Sequence, residues 1–544
     1  MRDMPLGSVD LVYLDPPFNS NREYSAIYED ETGRPLPDQI EAFNDLWALD
    51  EERERAIRHM PILMREAGLD DEIAEFWKVW LNALRNVNKK MLAYLTYMTE
   101  RLLPLRSIVK PDGSIFLHCD PTASHYIKVM MDGIFGHDNF RSEIVWQRQS
   151  AHSDAKTKFP AVTDTILFYS RSKKSKFFPQ YTDHDLDYVE KFYRHDDKDG
   201  RGRYRLSDMS APKGGGMAAI NKTTGKPNGW YVWKGYEPPA NGWRFSPDTM
   251  QRMHDEGRIY YPVFNDGSPD TSRRLAQKRF LEEQKGSIVT NLWTDISPLS
   301  RGEEYLGYAT QKPVALLSRI IESASEPGDI VFDPFCGCAS TIEAAQRLNR
   351  NWIGIDIAIH AIKRVAKVRL EDRLGLREGV DFTIEGVPHS VEGAIDLWER
   401  DKHHFQKWAI EQVDGFVTTR KTGDGGIDGR LYFSLPGDRE LSSMILEVKG
   451  GKNVNKSVVR DLRGVLEREG AAMAGLIVMD DLGPRKTAAF RSEMALAKDL
   501  EVSGMFYPRM QILTVPEILS GKRFLTPSVA RGRARTSQPS LPLG

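Results

Sequence analysis

The stretch Leu11-Val12-Tyr13-Leu14-Asp15-Pro16-Pro17-Phe18-Asn19 runs four apolar or aromatic residues directly into an acid and two prolines. Such a run predicts a short buried strand that the prolines end at once, because proline has no N–H for a sheet ladder. The strand then gives way to a stiff loop at the carboxyl edge of a sheet, where open α/β sheets bind ligands. The loop offers a carboxylate at Asp15, carbonyls at Pro16 and Pro17 without competing donors, and a flat ring at Phe18. A planar exocyclic amine suits this set. Two acceptors take its two N–H groups while its ring stacks on Phe18. Drawing on both hydrogens makes the nitrogen more tetrahedral and frees its lone pair for attack on an electrophile. A plain strand-ending Pro-Pro turn would look the same over so few residues, so the rest of the chain has to decide.

Far downstream, Gly328 to Thr341 reads as strand, tight loop and helix start, with Asp333-Pro334-Phe335-Cys336-Gly337-Cys338 at the turn. Trp352-Ile353-Gly354-Ile355-Asp356 is the next strand, ending in an acid. Asp333 and Asp356 thus close two adjacent strands of one βαβ unit. A strand, a loop, a helix and an acid about twenty residues on is a nucleoside-binding layout, the last carboxylate accepting from ribose hydroxyls. Tyr308-Ala309-Thr310-Gln311-Lys312-Pro313 leads a helix from Val314 to about Ser325, with Thr310 placed to cap it and Pro313 suited to its first turn. Cys336 and Cys338 resemble half a metal site, but two thiols fall short of one and loop packing is the better reading.

These three motifs together resemble the amino-methyltransferases that act on DNA bases. Their order, catalytic loop before cofactor loop, resembles the permuted β group of that family. The resemblance covers about residues 8–372. It implies a Rossmann-like α/β methyltransferase sheet binding S-adenosylmethionine and acting on double-stranded DNA. It implies Asp15, Pro16, Pro17 and Phe18 as catalytic residues. It implies Thr310, Gln311, Lys312, Pro313, Asp333, Pro334, Phe335, Gly337 and Asp356 around the cofactor. Asp-Pro-Pro-Phe rather than Ser-Pro-Pro leans to adenine N6 over cytosine N4, as a tendency of the family. The lack of a full Gly-x-Gly-x-x-Gly fits a cofactor without phosphates, and Ala339 stands where the family mostly has glycine. The family pattern also has a strand and a Gly-Asp-Asn type motif before the Asp-Pro-Pro strand. Here Met1 to Asp10 precede it, so one cofactor contact is expected to be missing or to lie upstream.

Composition sets the bounds. With 544 residues the chain holds about three domains, and a net charge of −2 makes it no polycation. Nucleic-acid binding must come from local basic patches. No apolar run is long enough to span a membrane. Three cysteines make no disulfide framework, which fits a cytoplasmic protein.

Between the motifs, Phe76 to Arg106 carries apolar residues at helical spacing and predicts one long packed helix. Pro111-Asp112-Gly113 predicts a turn, Ser114 to Asp120 a strand, Ser124 to Phe135 a helix, and Glu143 to Trp146 a further strand. His118-Cys119-Asp120 reads as a strand end lining the substrate pocket, since adjacent strand residues point to alternate faces. From Gln147 to about Ser300, basic residues such as Arg148, Arg171, Arg201, Arg203 and Arg205 interleave with Trp230, Trp233, Tyr236 and Trp243. Basic groups hold phosphates and aromatic or polar side chains read bases, so this segment is expected to recognise DNA.

The carboxyl-terminal part carries a different pattern. Gly423-Asp424-Gly425-Gly426-Ile427-Asp428-Gly429 opens one strand, and Ser443 to Gly451 forms a second that holds Glu447 and Lys449 on one face. Two carboxylates and a lysine can bind a divalent cation and activate water. The pattern resembles the Asp…Glu-x-Lys restriction endonuclease fold in its Mrr-like branch, over roughly residues 395–515. That resemblance implies Asp428, Glu447 and Lys449 as catalytic, with Asp428 and Glu447 holding Mg2+. The expected organisation is therefore residues 1–146 as the catalytic half of the methyltransferase, 147–300 as a recognition insert and 301–375 as the cofactor half. A linker at 376–394 leads to a smaller α/β restriction-endonuclease-like domain at 395–525, then a disordered tail at 526–544.

Overall fold

The computed structural model describes residues 4–17, 23–26, 28–29, 40–44, 47, 49–149, 157, 159–214, 216–299, 304–306, 311–356, 362, 366–417, 427–435, 441–451, 454–480, 483–527 and 533–534. Phe18, Thr310 and most of the 526–544 tail lie outside the described residues. The chain forms two compact units, Met1–Phe178 with Asn291–Gly544, and Pro179–Thr290.

In the first unit the sheet strands are β1 (Val9–Leu14), β2 (Val109–Cys119), β3 (Phe140–Gln147), β4 (Thr163–Ser170), β5 (Leu292–Trp293), β6 (Ile330–Asp333) and β7 (Asn351–Gly354). Their order across the sheet is β5-β3-β4-β2-β1-β6-β7. β1 runs parallel to both β2 and β6, and every residue of it is buried, as a strand covered on both faces requires. Its one acid, Asp10, is paired with Lys110 at 2.8 Å and accepts the Ile330 N–H at 2.9 Å, which pins β6 to β1.

Three expectations are corrected here. The long helix is two, α2 (Asp71–Val87) and α3 (Lys89–Ile108), behind α1 (Glu51–Glu66). Asn88 breaks it with non-helical backbone and accepts the Met91 N–H at 3.1 Å, an N-cap that the unbroken apolar spacing conceals. Pro111-Asp112-Gly113 is a bulge inside β2, since Val9 pairs with Val109 but Leu11 with Ser114. The sheet does not stop at Trp146. β4 inserts antiparallel between β2 and β3, so the compact second unit begins at Pro179 and ends at Thr290, well inside 147–300.

The remaining helices of this unit follow the expected pattern. α4 (Ser124–Phe135) precedes β3, α5 (Val314–Ala324) precedes β6, and α6 (Ser340–Arg347) lies between β6 and β7. Residues 366–374 are helical, with Arg369–Arg373 widened to a π turn. Arg369 is fully buried and pairs with the equally buried Glu343 of α6 at 2.5 Å.

A second sheet carries β8 (Phe416–Val417), β9 (Gly429–Phe433), β10 (Ser442–Lys449), β11 (Met473–Val478) and β12 (Met510–Thr514) in that order. β9 is antiparallel to β10, and β10, β11 and β12 are parallel. α7 (Val391–Arg400) begins inside the expected linker and α8 (Lys402–Gln412) comes directly after it. Phe405, Trp408 and Leu446 pack on one face of the sheet, while Ile445 and Leu476 meet Val459 and Leu462 of α9 (Lys456–Glu469) on the other.

The second unit has a four-stranded antiparallel sheet, in the order Ile259–Tyr260, Ala276–Phe280, Arg203–Asp208 and His195–Asp196. Trp233, Tyr236 and Trp243 form its core with Met209 and Met250, so they are packing residues; Trp230 stays exposed.

The buried Arg369–Glu343 pair gives a stability test. Glu343 also meets Arg347 at 2.8 Å, so the charge that can be stranded is Arg369, and removing Glu343 costs about 3–5 kcal/mol. Glu343→Leu is expected to lower the urea midpoint sharply, and adding Arg369→Met to restore most of the loss.

Candidate active site

β1 delivers Asp15 at its carboxyl end, and α5 delivers Lys312 just before its amino end. Lys312 Nζ meets Asp15 Oδ2 at 2.5 Å, across 297 residues of sequence. Both side chains are largely buried, with 9% and 15% of their surface exposed. Oδ1 of Asp15 is buried and has no hydrogen-bond partner among the described residues. One carboxylate oxygen is thus fixed by a cation and the other is an unused acceptor. Pro16 is buried and Pro17 half-buried beside it. Lys312, whose motif suggests a cofactor contact, is thus held against the Asp15 loop.

The other residues of that motif brace the loop. Gln311 donates to the Glu304 carbonyl at 2.6 Å and accepts the Leu306 N–H at 2.9 Å. The α5 cap is Pro313, and the first free N–H, of Val314, goes to Glu304 Oε1 at 2.6 Å.

Behind Asp15 lies a buried polar chain that sequence reasoning did not assemble. Tyr13 Oη and His118 Nδ1 are 2.9 Å apart, and His118 Nε2 is 3.2 Å from Asp164 Oδ2. Arg148 reaches the other oxygen of Asp164 at 3.2 Å. A proton on Nε2 facing the carboxylate leaves Nδ1 to accept from the tyrosine. Burial alone would raise the Asp164 carboxyl; the His118 hydrogen bond and the charges of Lys312 and Arg148 outweigh it and lower it. Burial pushes the Tyr13 phenol well up, helped by the charges of Asp15, Asp333 and Asp164, so it stays protonated. Of the expected pocket-lining trio, Asp120 instead caps its own turn through the Thr122 and Ala123 N–H groups, and Cys119 is buried in the core.

The cofactor loop is compact. Asp333 ends β6, is buried, and accepts the Phe335 N–H at 2.9 Å. Asp356 lies two residues past β7 and accepts the Gly337 N–H at 2.8 Å, closing the loop. Burial pushes Asp333 up to about 7, with Asp15 and Asp356 adding to the effect against hydrogen bonds from Thr341 and Phe335. No cation lies within ion-pair distance of Asp333 among the described residues. Such a carboxylate fits a ligand that brings positive charge. Phe335 is half-buried against Tyr97 of α3, their rings 6.4 Å apart; burial raises the tyrosine's pKa, and the charge of Asp356 adds to it. Tyr97 is carried on a helix that periodicity marks only as packing. Pro334 is buried at the same turn. Burial raises both Cys336 and Cys338 thiols, which keeps them protonated and speaks for packing.

The second sheet also gathers its expected residues. Lys449 Nζ meets Glu447 Oε1 at 2.8 Å on β10. Asp428, just before β9, accepts the Val448 N–H at 2.7 Å and a Gln406 N–H at 3.2 Å. Burial raises the Glu447 carboxyl, and Asp428 and Asp461 of α9 raise it further against Lys449. Gln406 and Asp461 carry no sequence signal of their own, because each sits on a helix distant in the chain. Among the described residues no three His, Cys, Asp or Glu side chains come together as a metal cage.

With this geometry in view, a family model described as DNA methylase (N6_N4_Mtase) matches residues 9–367. The chain belongs to that family. It is 31% identical over 315 residues to the type II methyltransferase M.EcaI of Enterobacter cloacae, covering 58% of this chain and 65% of that protein. It is 25% identical over 355 residues to the type III restriction-modification enzyme StyLTI Mod subunit of Salmonella typhimurium strain LT2, covering 63% and 47%. It is 51% identical over 141 residues to the DNA adenine methyltransferase YhdJ of Escherichia coli K12, covering 22% and 48%. The chain spans less than two thirds of the length of these relatives. Among the described residues of this DNA methylase, no helix is long and apolar enough to cross a membrane.

The Asp333 environment sets a pH dependence. Its pKa rises from 3.8 to about 7 on folding, so ionisation opposes the fold. That contribution is favourable below about pH 4 and is lost as pH rises through about 7. Thermal midpoints of the ligand-free protein are expected to fall across this window more steeply than those of Asp333→Asn.

Proposed function

We propose that this chain is a site-specific DNA methyltransferase that transfers a methyl group from S-adenosylmethionine to adenine N6 in double-stranded DNA. The observation that carries the reading is Asp15, with Oδ2 held by Lys312 and Oδ1 left as a buried, unused acceptor. A target amine paired inside a duplex has to be flipped out to reach such a pocket. Oδ1 of Asp15 accepts one of its N–H groups and the Pro16 carbonyl the other. Pro17 stiffens the loop. Phe18, outside the described residues, is assigned by sequence alone to stack on the base. Lys312 fixes the rotamer of Asp15, and its charge also lowers the Asp164 carboxyl of the Tyr13–His118–Asp164 chain.

S-adenosylmethionine supplies the electrophilic methyl group when bound. Its positive charge matches the buried Asp333 carboxyl, and Asp356 is the acceptor for its ribose. Phe335, Pro334, Gly337 and Tyr97 form the wall. Gln311 and Pro313 shape the loop beside it, and Thr310, outside the described residues, is assigned there by sequence alone. Rate enhancement then comes chiefly from holding the amine in line with the methyl carbon. The second unit, within the 147–300 segment, is the DNA-recognition module in this reading, and a cytoplasmic site of action accords with DNA as substrate.

The test is nucleoside mass spectrometry on unmethylated mixed-sequence DNA incubated with protein and S-adenosylmethionine. N6-methyladenine is expected. N4-methylcytosine would overturn the base assignment, and no methylation with no cofactor binding would favour a non-catalytic DNA-binding remnant. Asp15→Ala is expected to lose transfer by about 1,000-fold, on the order of removing one essential positioning group, while calorimetry still shows cofactor binding.

A second activity has its own observation. Asp428, Glu447 and Lys449 come together on the second sheet, which supports a Mrr-like restriction endonuclease domain fused to the methyltransferase. Mg2+ is often held by one or two carboxylates together with substrate phosphates, and Asp428 and Glu447 fit that donor set. The metal would activate water, with Lys449 beside the scissile phosphate. Mg2+-dependent cleavage of unmethylated DNA is expected, with about 100-fold loss in Lys449→Ala. Absence of cleavage with any divalent metal would leave this domain as a DNA-binding module.

A further inference from the structure

The sheet of the second unit holds an arrangement of charge that folding alone does not explain. Its register sets Arg205 directly opposite Arg279, and Ser207 opposite Gln277. Residues opposite each other share a face, and side chains alternate along a strand. One face therefore carries Arg203, Arg205 and Ser207 from one strand with Gln277 and Arg279 from its neighbour. The other carries Tyr204, Leu206, Lys278 and Phe280.

The two faces treat their cations differently. On the Tyr204 face, Lys278 is paired with Asp197 at 2.5 Å. At the sheet's edges, Arg201 is paired with Asp199 at 2.5 Å and Arg258 with Glu283 at 2.7 Å. On the Arg205 face, Arg203 donates to the Tyr193 carbonyl at 2.7 Å. Arg205 and Arg279 meet no carboxylate within ion-pair distance among the described residues. Both are half-buried. Arg205 Nε and Gln277 Oε1 are shielded from water and have no partner among the described residues. Like charges set directly across a sheet destabilise it. A site that keeps two of them, partly desolvated and without a carboxylate, is built for an anion from outside.

We propose that Arg205 and Arg279 together clamp one backbone phosphate of DNA, with Ser207 and Gln277 beside it. This rests on the reading of DNA as substrate. Guanidinium groups bind phosphate oxygens in a fork geometry that lysine cannot reproduce. Such a contact positions the duplex and carries no sequence information.

The test uses the full chain and fluorescence anisotropy with a labelled mixed-sequence duplex over a salt series. Each phosphate contact contributes about 0.9 to the slope of log affinity against log salt. Arg279→Gln is expected to weaken binding about tenfold and lower the slope by about 1. Arg279→Glu is the decisive variant. It places an acid opposite Arg205, so the thermal midpoint is expected to rise while DNA affinity falls below that of Arg279→Gln. A raised midpoint with unchanged affinity and slope would overturn the clamp and leave the pair structural. Loss confined to one DNA sequence, with the slope kept, would also overturn it in favour of base reading. Wild-type protein without salt-dependent DNA binding would remove the DNA reading together with the clamp. Binding that persists unchanged in both variants would remove the clamp alone.

Discussion

The ion pair between Lys312 and Asp15 is the constraint on which the catalytic half depends. Asp15 leaves a buried strand and enters a loop that proline prevents from making ladder bonds. A carboxylate there needs a cation, and the chain supplies one from beyond the second unit. Because the two residues lie 297 positions apart, the pair ties the first strand to the helix that opens the cofactor half. It also divides the carboxylate: one oxygen is committed to Lys312 and the other is buried without a partner among the described residues. Lys312 lowers Asp164 as well, so a single ammonium serves the catalytic loop and the polar chain behind it. The cost of burying so many ionisable groups is contained because each answers another.

What could be read from the sequence depended on how local its cause was. The strand into Asp15, the loop after Asp333 and the acid at Asp356 were legible because each is written within a few residues. The strands β9 and β10 were legible for the same reason, and alternation alone put Glu447 and Lys449 on one face. The break at Asn88 was hidden because apolar spacing runs through it, and only a side-chain cap marks it. β4 was hidden because it pairs with β2, far upstream, and sits in a basic stretch. His118 and Asp164 became neighbours only through that unexpected strand. Lys312 was found by its motif, but its ion pair with Asp15 was hidden, since a motif names residues without saying which way they point.

The tryptophans of the second unit show the same limit from the other side. Aromatic residues interleaved with basic ones look alike whether they read bases or fill a core. Trp233 and Trp243 fill a core. The surface signal lay in the pairing register, where two arginines face each other while a lysine on the opposite face is neutralised. Charge counted along the chain gives net values near zero; charge sorted by sheet face separates cations that serve the fold from cations left over.

The cofactor loop shows how a glycine motif can be thinned without being lost. Ala339 takes a left-handed backbone, φ 61°, at the amino end of α6. For a residue with a Cβ this costs about 1–2 kcal/mol. The methyl group is buried among Cys336, Ile342 and Leu370, and that contact offsets part of the strain. Glycine is kept where space rather than backbone angle decides. A Cβ on Gly354 would lie 2.4 Å from Ile342 Cδ1 and 3.0 Å from Cys336 Sγ, so β7 could not approach the loop. Asp356 would then be held away from the Gly337 N–H that it closes on. The loop's shape is thus maintained by the packing of α6 on β7 and by the buried Glu343–Arg369 pair beneath it. A motif scored on glycine count alone would miss a site whose geometry rests on one glycine in the neighbouring strand.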